Sequence, residues 1–214
     1  EIMTRWTRML RCVFIYDYDP GKSLDDMPFP MLHNIRHDLP WFKQRGVWGF
    51  WTEGANEWLV LHLNFYVRAK LMWNVNEDVD ALVRDYCEKF YGKAADAIED
   101  YIWTQENAVG NSTVHETWGR EVPWKVIFTP EVVQRLKADI AKATALADTP
   151  EAQFHVHVLG LVSQYLRWYM EMDRAASEGR FAEAVDCADE MAQIRDEVGK
   201  VSPGLLPITP DIFR

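Results

Sequence analysis

Two short runs of β-branched and aromatic residues, separated by a helix-length segment, constrain this chain more than any other feature. The first, Arg11 to Tyr18, reads RCVFIYDY and stops at Asp19, Pro20 and Gly21; the second, Gly46 to Trp51, reads GVWGFW and stops at Thr52, Glu53 and Gly54. Runs of this length bounded by turn residues read as buried strands. Between them, Met31 to Arg45 has the pattern of a crossover helix, which Pro40 is expected to interrupt or end. A hairpin needs only a few connecting residues, whereas parallel neighbours need a dozen or more, so this order predicts a parallel pair.

Everything after the second run reads as helix. From Asn56 to Trp73, the apolar positions Leu59, Leu63, Tyr66, Val67, the Lys70 stem and Leu71 recur at three and four, which is the stripe of an amphipathic helix. Asn76, Glu77 and Asp78 cap the start of another, carrying Val79, Leu82, Val83, Tyr86 and Phe90 and closed by Gly92, and Lys93 to Asn107 continues as a third. Helices are then predicted from Thr129-Pro130 to about Ala147, from Thr149-Pro150 to about Ser177, and from Arg180 or Phe181 to about Val198. Residues 202–214, with prolines at 203, 207 and 210, read as an extended end. Nine of the ten tryptophans lie at or before Trp124, whereas alanine dominates beyond it, and Gly110, Asn111, Ser112, Gly119 and Pro123 mark a soft boundary over 108–129. The reading is therefore α/β followed by all-α: strands and helices over 1–75, a helical extension over 76–124, and a three-helix bundle tail over 125–214.

Charge and cysteine usage exclude several classes. Thirty-three acids against 23 bases give a net charge of −10 with no basic run, which argues against nucleic acid as a partner. The longest apolar stretches, around Trp58 to Val67 and Phe154 to Val162, are broken by His62, Asn64, His155 and His157, so no membrane span is expected. Three cysteines at 12, 87 and 187 form no CxxC pair, so neither a disulfide framework nor a zinc knuckle is indicated, and the redox compartment stays open. Gly21-Lys22-Ser23 lacks the earlier glycine of a phosphate loop. His115-Glu116 lacks the second histidine of a zincin helix. His155 and His157 share a face only on a strand, and here they fall on a helix. No metal or other cofactor is expected.

Both strand runs finish in polar and aromatic residues: Tyr16, Asp17 and Tyr18 at the first, Trp51, Glu53 and Asn56 at the second. The C-terminal edge of a parallel sheet is where α/β proteins bind ligands. Carboxylates and an amide beside flat rings suit a sugar, whose hydroxyls need acceptors and whose C–H faces pack on aromatic surfaces. Glu53 equally suits a helix cap and Asp17 an acceptor for loop amides. Trp41, Trp48 and Trp58 are expected in the core rather than as sugar platforms.

The segment from Gly46 onward also resembles a bacterial family known as domain of unknown function 4838 (DUF4838), in which G-x-x-G-x-x-x-E precedes L-N-x-Y-x-x-A-K-L-x-W-N and D-V-D-x-L-x-x-D-Y-C-x-x-Y-Y-G. The matching positions are Gly46, Gly49 and Glu53; Leu63, Asn64, Tyr66, Ala69, Lys70, Leu71, Trp73 and Asn74; and Asp78, Val79, Asp80, Leu82, Asp85, Tyr86, Cys87, Phe90, Tyr91 and Gly92, with Phe90 where the pattern has Tyr. The family is similar in layout to α-glucuronidases and hexosaminidase-like enzymes. The resemblance implies the C-terminal part of a (β/α)8 barrel, its last two strands, followed by a helical tail, in a glycoside-hydrolase-like protein acting on polysaccharide or oligosaccharide. Eight strands close such a barrel, so the other six, and the catalytic acid with them, would lie upstream. Tyr16, Asp17, Tyr18, Trp51, Glu53 and Asn56 would then bind sugar hydroxyls in a secreted or periplasmic setting. A carbohydrate-binding module without catalysis and a helical support or interaction domain are the alternatives.

Overall fold

A computed structural model describes residues 1–17, 26–52, 58–114, 123–202 and 205. Helix α1 (Ile2–Met9) leads into strand β1 (Phe14–Asp17); α2 (Leu32–Gln44) then crosses to strand β2 (Gly49–Thr52). The two strands pair in parallel, with Phe14 opposite Gly49, Ile15 opposite Phe50, Tyr16 opposite Trp51 and Asp17 opposite Thr52. The sequence argument for a crossover is met. Helix α2 continues through Pro40 rather than ending there. Burial of Leu32, Ile35 and Leu39 along one face outweighs the hydrogen bond that proline cannot donate.

The strands are not buried on both faces as expected. Phe14, Tyr16 and Trp51 are 61%, 48% and 67% exposed, whereas Phe50, on the opposite face, meets Phe42 of α2 edge-on at 5.4 Å between centroids. Side chains alternate along a strand, so one face of this sheet lies on helices and the other is open. Trp48 and Trp58 are likewise exposed rather than in the core, and Trp41 is half-buried.

Among the described residues seven α-helices follow: α3 (Trp58–Trp73), α4 (Val79–Tyr91), α5 (Ala95–Gly110), the single-turn α6 (Trp124–Ile127), α7 (Pro130–Leu146), α8 (Pro150–Ser177) and α9 (Phe181–Val201). Their starts follow from capping chemistry. Asp78 accepts from the amides of Asp80 and Ala81, Thr129 from Val132, and Thr149 from Ala152, each of the last two with proline at the first helical position. Gly92 ends α4 with φ +53°. Helices α4, α5, α7 and α8 pack each on the next in a closed ring, with α9 laid on α8, so the tail helices join α4 and α5 rather than closing on themselves. One hydrophobic core runs from Met27 to Val198, and Trp124, Phe128, Tyr101 and Leu166 lie at its centre. Among the described residues no helix is long and apolar enough to cross a membrane.

The buried face of α3 differs from the predicted stripe. Leu59, Val67 and Leu71 are buried, but so are Leu61, Asn64 and Arg68, while Leu63 and Tyr66 are half-buried and Lys70 is exposed. Two polar residues therefore sit inside, and both have work at the sheet.

Candidate functional site

Tyr16 and Trp51 are cross-strand partners near the C-terminal ends of β1 and β2, with ring centroids 4.8 Å apart and planes tilted by 30°. Register places them on the open face, where they form a contiguous aromatic surface. Asp17 falls on the other face. There its carboxylate stands 3.5 Å from the Arg68 guanidinium, which is buried and lies 4.8 Å over the Phe50 ring. Of the six residues singled out in the sequence, Tyr16 and Trp51 are thus brought together and Asp17 is turned toward α3. Tyr18, Glu53 and Asn56 lie outside the described residues, as do Gly21 to Ser23 and His115 to Gly119.

Gly49 explains itself in this geometry: a Cβ there would stand 3.0 Å from the Phe14 ring, so only glycine lets the cross-strand phenylalanine lie flat over β2. Gly46, at φ +82°, makes the turn from α2 into that strand. Both glycines of the first motif are accounted for by backbone geometry.

Residues sequence reasoning missed hold the segment that leads from the end of β1 into α2. Asn64 of α3 accepts from the Met31 amide at 3.1 Å and donates to the Phe29 carbonyl at 3.0 Å. Glu106 of α5 accepts from the Leu32 amide at 3.0 Å and the His33 amide at 2.7 Å, capping α2 from a distant helix. Arg195 of α9 pairs with Asp26, at φ +57°, and donates to the Tyr165 hydroxyl at 2.9 Å. All four polar residues are nearly inaccessible, so buried polar groups from three helices pin residues 26–33 in place. The available signal was a polar residue on an apolar helical face: Asn64 between Leu61 and Val67, Arg195 between Met191 and Val198.

A second polar chain lies under α3. Backbone carbonyls of Trp58 and Leu59 face Nδ1 of His62, at 3.2 and 3.1 Å, so that nitrogen carries the proton. Nε2 then accepts from the Tyr86 hydroxyl at 2.7 Å, and Tyr86 accepts from Tyr91 at 3.1 Å. Burial holds the imidazole below its ordinary value, pushes the Tyr86 phenol up to about 12 and raises Tyr91 well above its usual range. Neighbouring Cys87 is pushed up to about 12, first by burial and then by Glu99, which leaves a thiol rather than a nucleophilic thiolate at neutral pH. Tyr86, Cys87, Tyr91 and Gly92 thus serve packing and helix closure. His155 faces the Phe90 carbonyl at 2.8 Å while His157 is exposed, so the two do not converge. Among the described residues no group of three or more His, Cys, Asp or Glu side chains could hold a metal ion.

With the Gly46–Gly49 turn and the Asn64 clamp defined, comparison with known families becomes decisive. Residues 1–103 match the family profile described as Domain of unknown function (DUF4838). Over these 103 of 214 residues the chain is similar to DUF4838. The match spans α1 to the middle of α5 and contains Asn64, Arg68 and the His62–Tyr86–Tyr91 chain, whereas Glu106 and Arg195 lie beyond it. No curated protein and no solved structure matches the chain significantly.

Proposed function

We propose that this chain is the C-terminal portion of a glycoside-hydrolase-like protein acting on polysaccharide or oligosaccharide, with the strand ends contributing to the sugar site. The supporting observation is the open Tyr16–Trp51 pair at the C-terminal ends of two parallel strands. An exposed aromatic surface of this kind suits the C–H face of a pyranose ring. In this reading β1 and β2 are the last two strands of a (β/α)8 barrel, and the open face carrying Phe14, Tyr16 and Trp51 is the one that upstream strands would enclose. Asp17 shapes the site's floor through Arg68, and Tyr18, Glu53 and Asn56 supply hydroxyl contacts. The acid and base belong to other strands.

The test uses the natural gene product in its full length, titrated calorimetrically with plant and bacterial oligosaccharides. Trp51→Ala and Tyr16→Ala are expected to weaken binding about tenfold or more while leaving the melting temperature unchanged. Binding that ignores both substitutions would remove the strand ends from the site. Turnover separates an enzyme from a binding module with the same cleft.

A supporting role for the tail is favoured by one specific observation, the buried Arg195–Asp26 pair, which ties α9 to the connection following β1. It is compatible with the sugar reading, since a site built on a βα connection needs that connection held.

A further inference from the structure

We propose that the groove between α6, the first half of α7 and the second half of α8 binds a small organic carboxylate with an apolar body. The groove has a volume of about 360 Å³, within the range of small-ligand sites. Four bases line it, Lys125, Lys137, Arg167 and Arg174, against two acids, Glu171 and Asp173. The local balance is +2 (four minus two) in a chain whose net charge is −10, so this is a place where a negative ligand escapes the general repulsion.

Lys125 is engaged with Asp173 at 3.5 Å. Lys137, Arg167 and Arg174 make no ion pair among the described residues, and all three can turn toward a carboxylate. Arg167 lies 4.0 Å over the Trp168 ring, and its Nε is buried with no hydrogen-bond partner among the described residues, so its fork is short of acceptors. Pro130, Val133 and Met170 supply the apolar lining on which the ligand's hydrocarbon would lie. Basic side chains beside hydrocarbon in one groove select against both a free inorganic anion and a neutral apolar molecule. The groove shares no residue with the strand ends, so this inference stands apart from the sugar reading.

The probe is 2-naphthoate, titrated calorimetrically into the full-length gene product beside its neutral isostere 2-naphthamide. Naphthoate is expected to bind saturably and about tenfold or more tighter than the amide, weakening as salt rises. The double variant Lys137→Glu with Arg174→Glu, both exposed positions, should lower naphthoate affinity by about tenfold or more with an unchanged circular dichroism spectrum. If that variant fails to fold, Lys137→Gln with Arg174→Gln gives the same reading in smaller degree. Glucuronate is expected to bind more weakly than naphthoate, and glucuronate binding as tight would overturn the apolar body. Equal affinity for naphthoate and naphthamide, or naphthoate binding untouched by both double variants, would overturn the proposal.

Discussion

The two ends of this molecule treat their aromatic residues in opposite ways. In the sheet region, Phe14, Tyr16, Trp48 and Trp51 stand about half or more exposed, on and beside a two-stranded sheet whose one face is open among the described residues. In the helical body, Trp124, Phe128 and Tyr101 are buried almost completely at the centre of a continuous core. Similar side chains are enclosed in one place and open to solvent in the other. The difference teaches where interaction resides: aromatic surface left open on an ordered strand pair is available to a ligand or to further strands, whereas the helical body covers its central rings and leaves only peripheral ones such as Phe90, Phe154 and Phe181 exposed.

The sharpest way to break this contrast is to remove a clamp between the regions. Arg195→Met leaves the buried Asp26 without its guanidinium and should cost about 3 kcal/mol or more, read from urea unfolding. A loss under about 1 kcal/mol would mean that the sheet region does not depend on α9. Glu106→Ala comes next, because a buried and a part-buried amide of α2 lose their acceptor; about 2 kcal/mol is expected by the same measurement. Gly49→Ala sharpens the comparison from the open side. Its Cβ would press on Phe14, but that ring is exposed and can swing outward, so about 1 kcal/mol or less is expected, against the larger penalties in the core.

Titration gives a smaller effect. Tyr86 and Tyr91 are raised by burial, so the stability they contribute is complete below the unfolded tyrosine value of 10.0 and is lost as pH rises above it, for Tyr86 toward about 12. His62 is lowered, so its contribution is present above the unfolded value of 6.5 and is lost as pH falls below it. Urea midpoints at several pH values should show both flanks, and Tyr86→Phe should flatten the alkaline one. An unchanged alkaline flank in that variant would detach it from this chain.

Much of the skeleton was legible because its signals are local. Thr129-Pro130, Thr149-Pro150, Asp78 and Gly92 mark helix ends within four residues, and the spacing of the two strand runs alone required a crossover. The clamps were not legible, since Glu106 meets Leu32 across 74 residues and Arg195 meets Asp26 across 169. Hydrophobic periodicity also places a residue on an element's face without saying whether anything covers that face. Trp48 and Trp58 were expected inside for that reason, and Asn64 and Arg68 were passed over on a face read as apolar. At the site, the placing of Tyr16 and Trp51 at one edge followed from the parallel pairing, but their register and the turning of Asp17 toward Arg68 depend on packing, the latter on which side α3 occupies.

The most direct test of the open aromatic face is residue-resolved tryptophan oxidation of the full-length gene product, with and without excess oligosaccharide. The account predicts rapid oxidation at Trp51, protection of Trp51 when sugar is added, and a slow, sugar-independent rate at buried Trp124. A Trp51 rate that sugar leaves unchanged while the protein binds that sugar would contradict it.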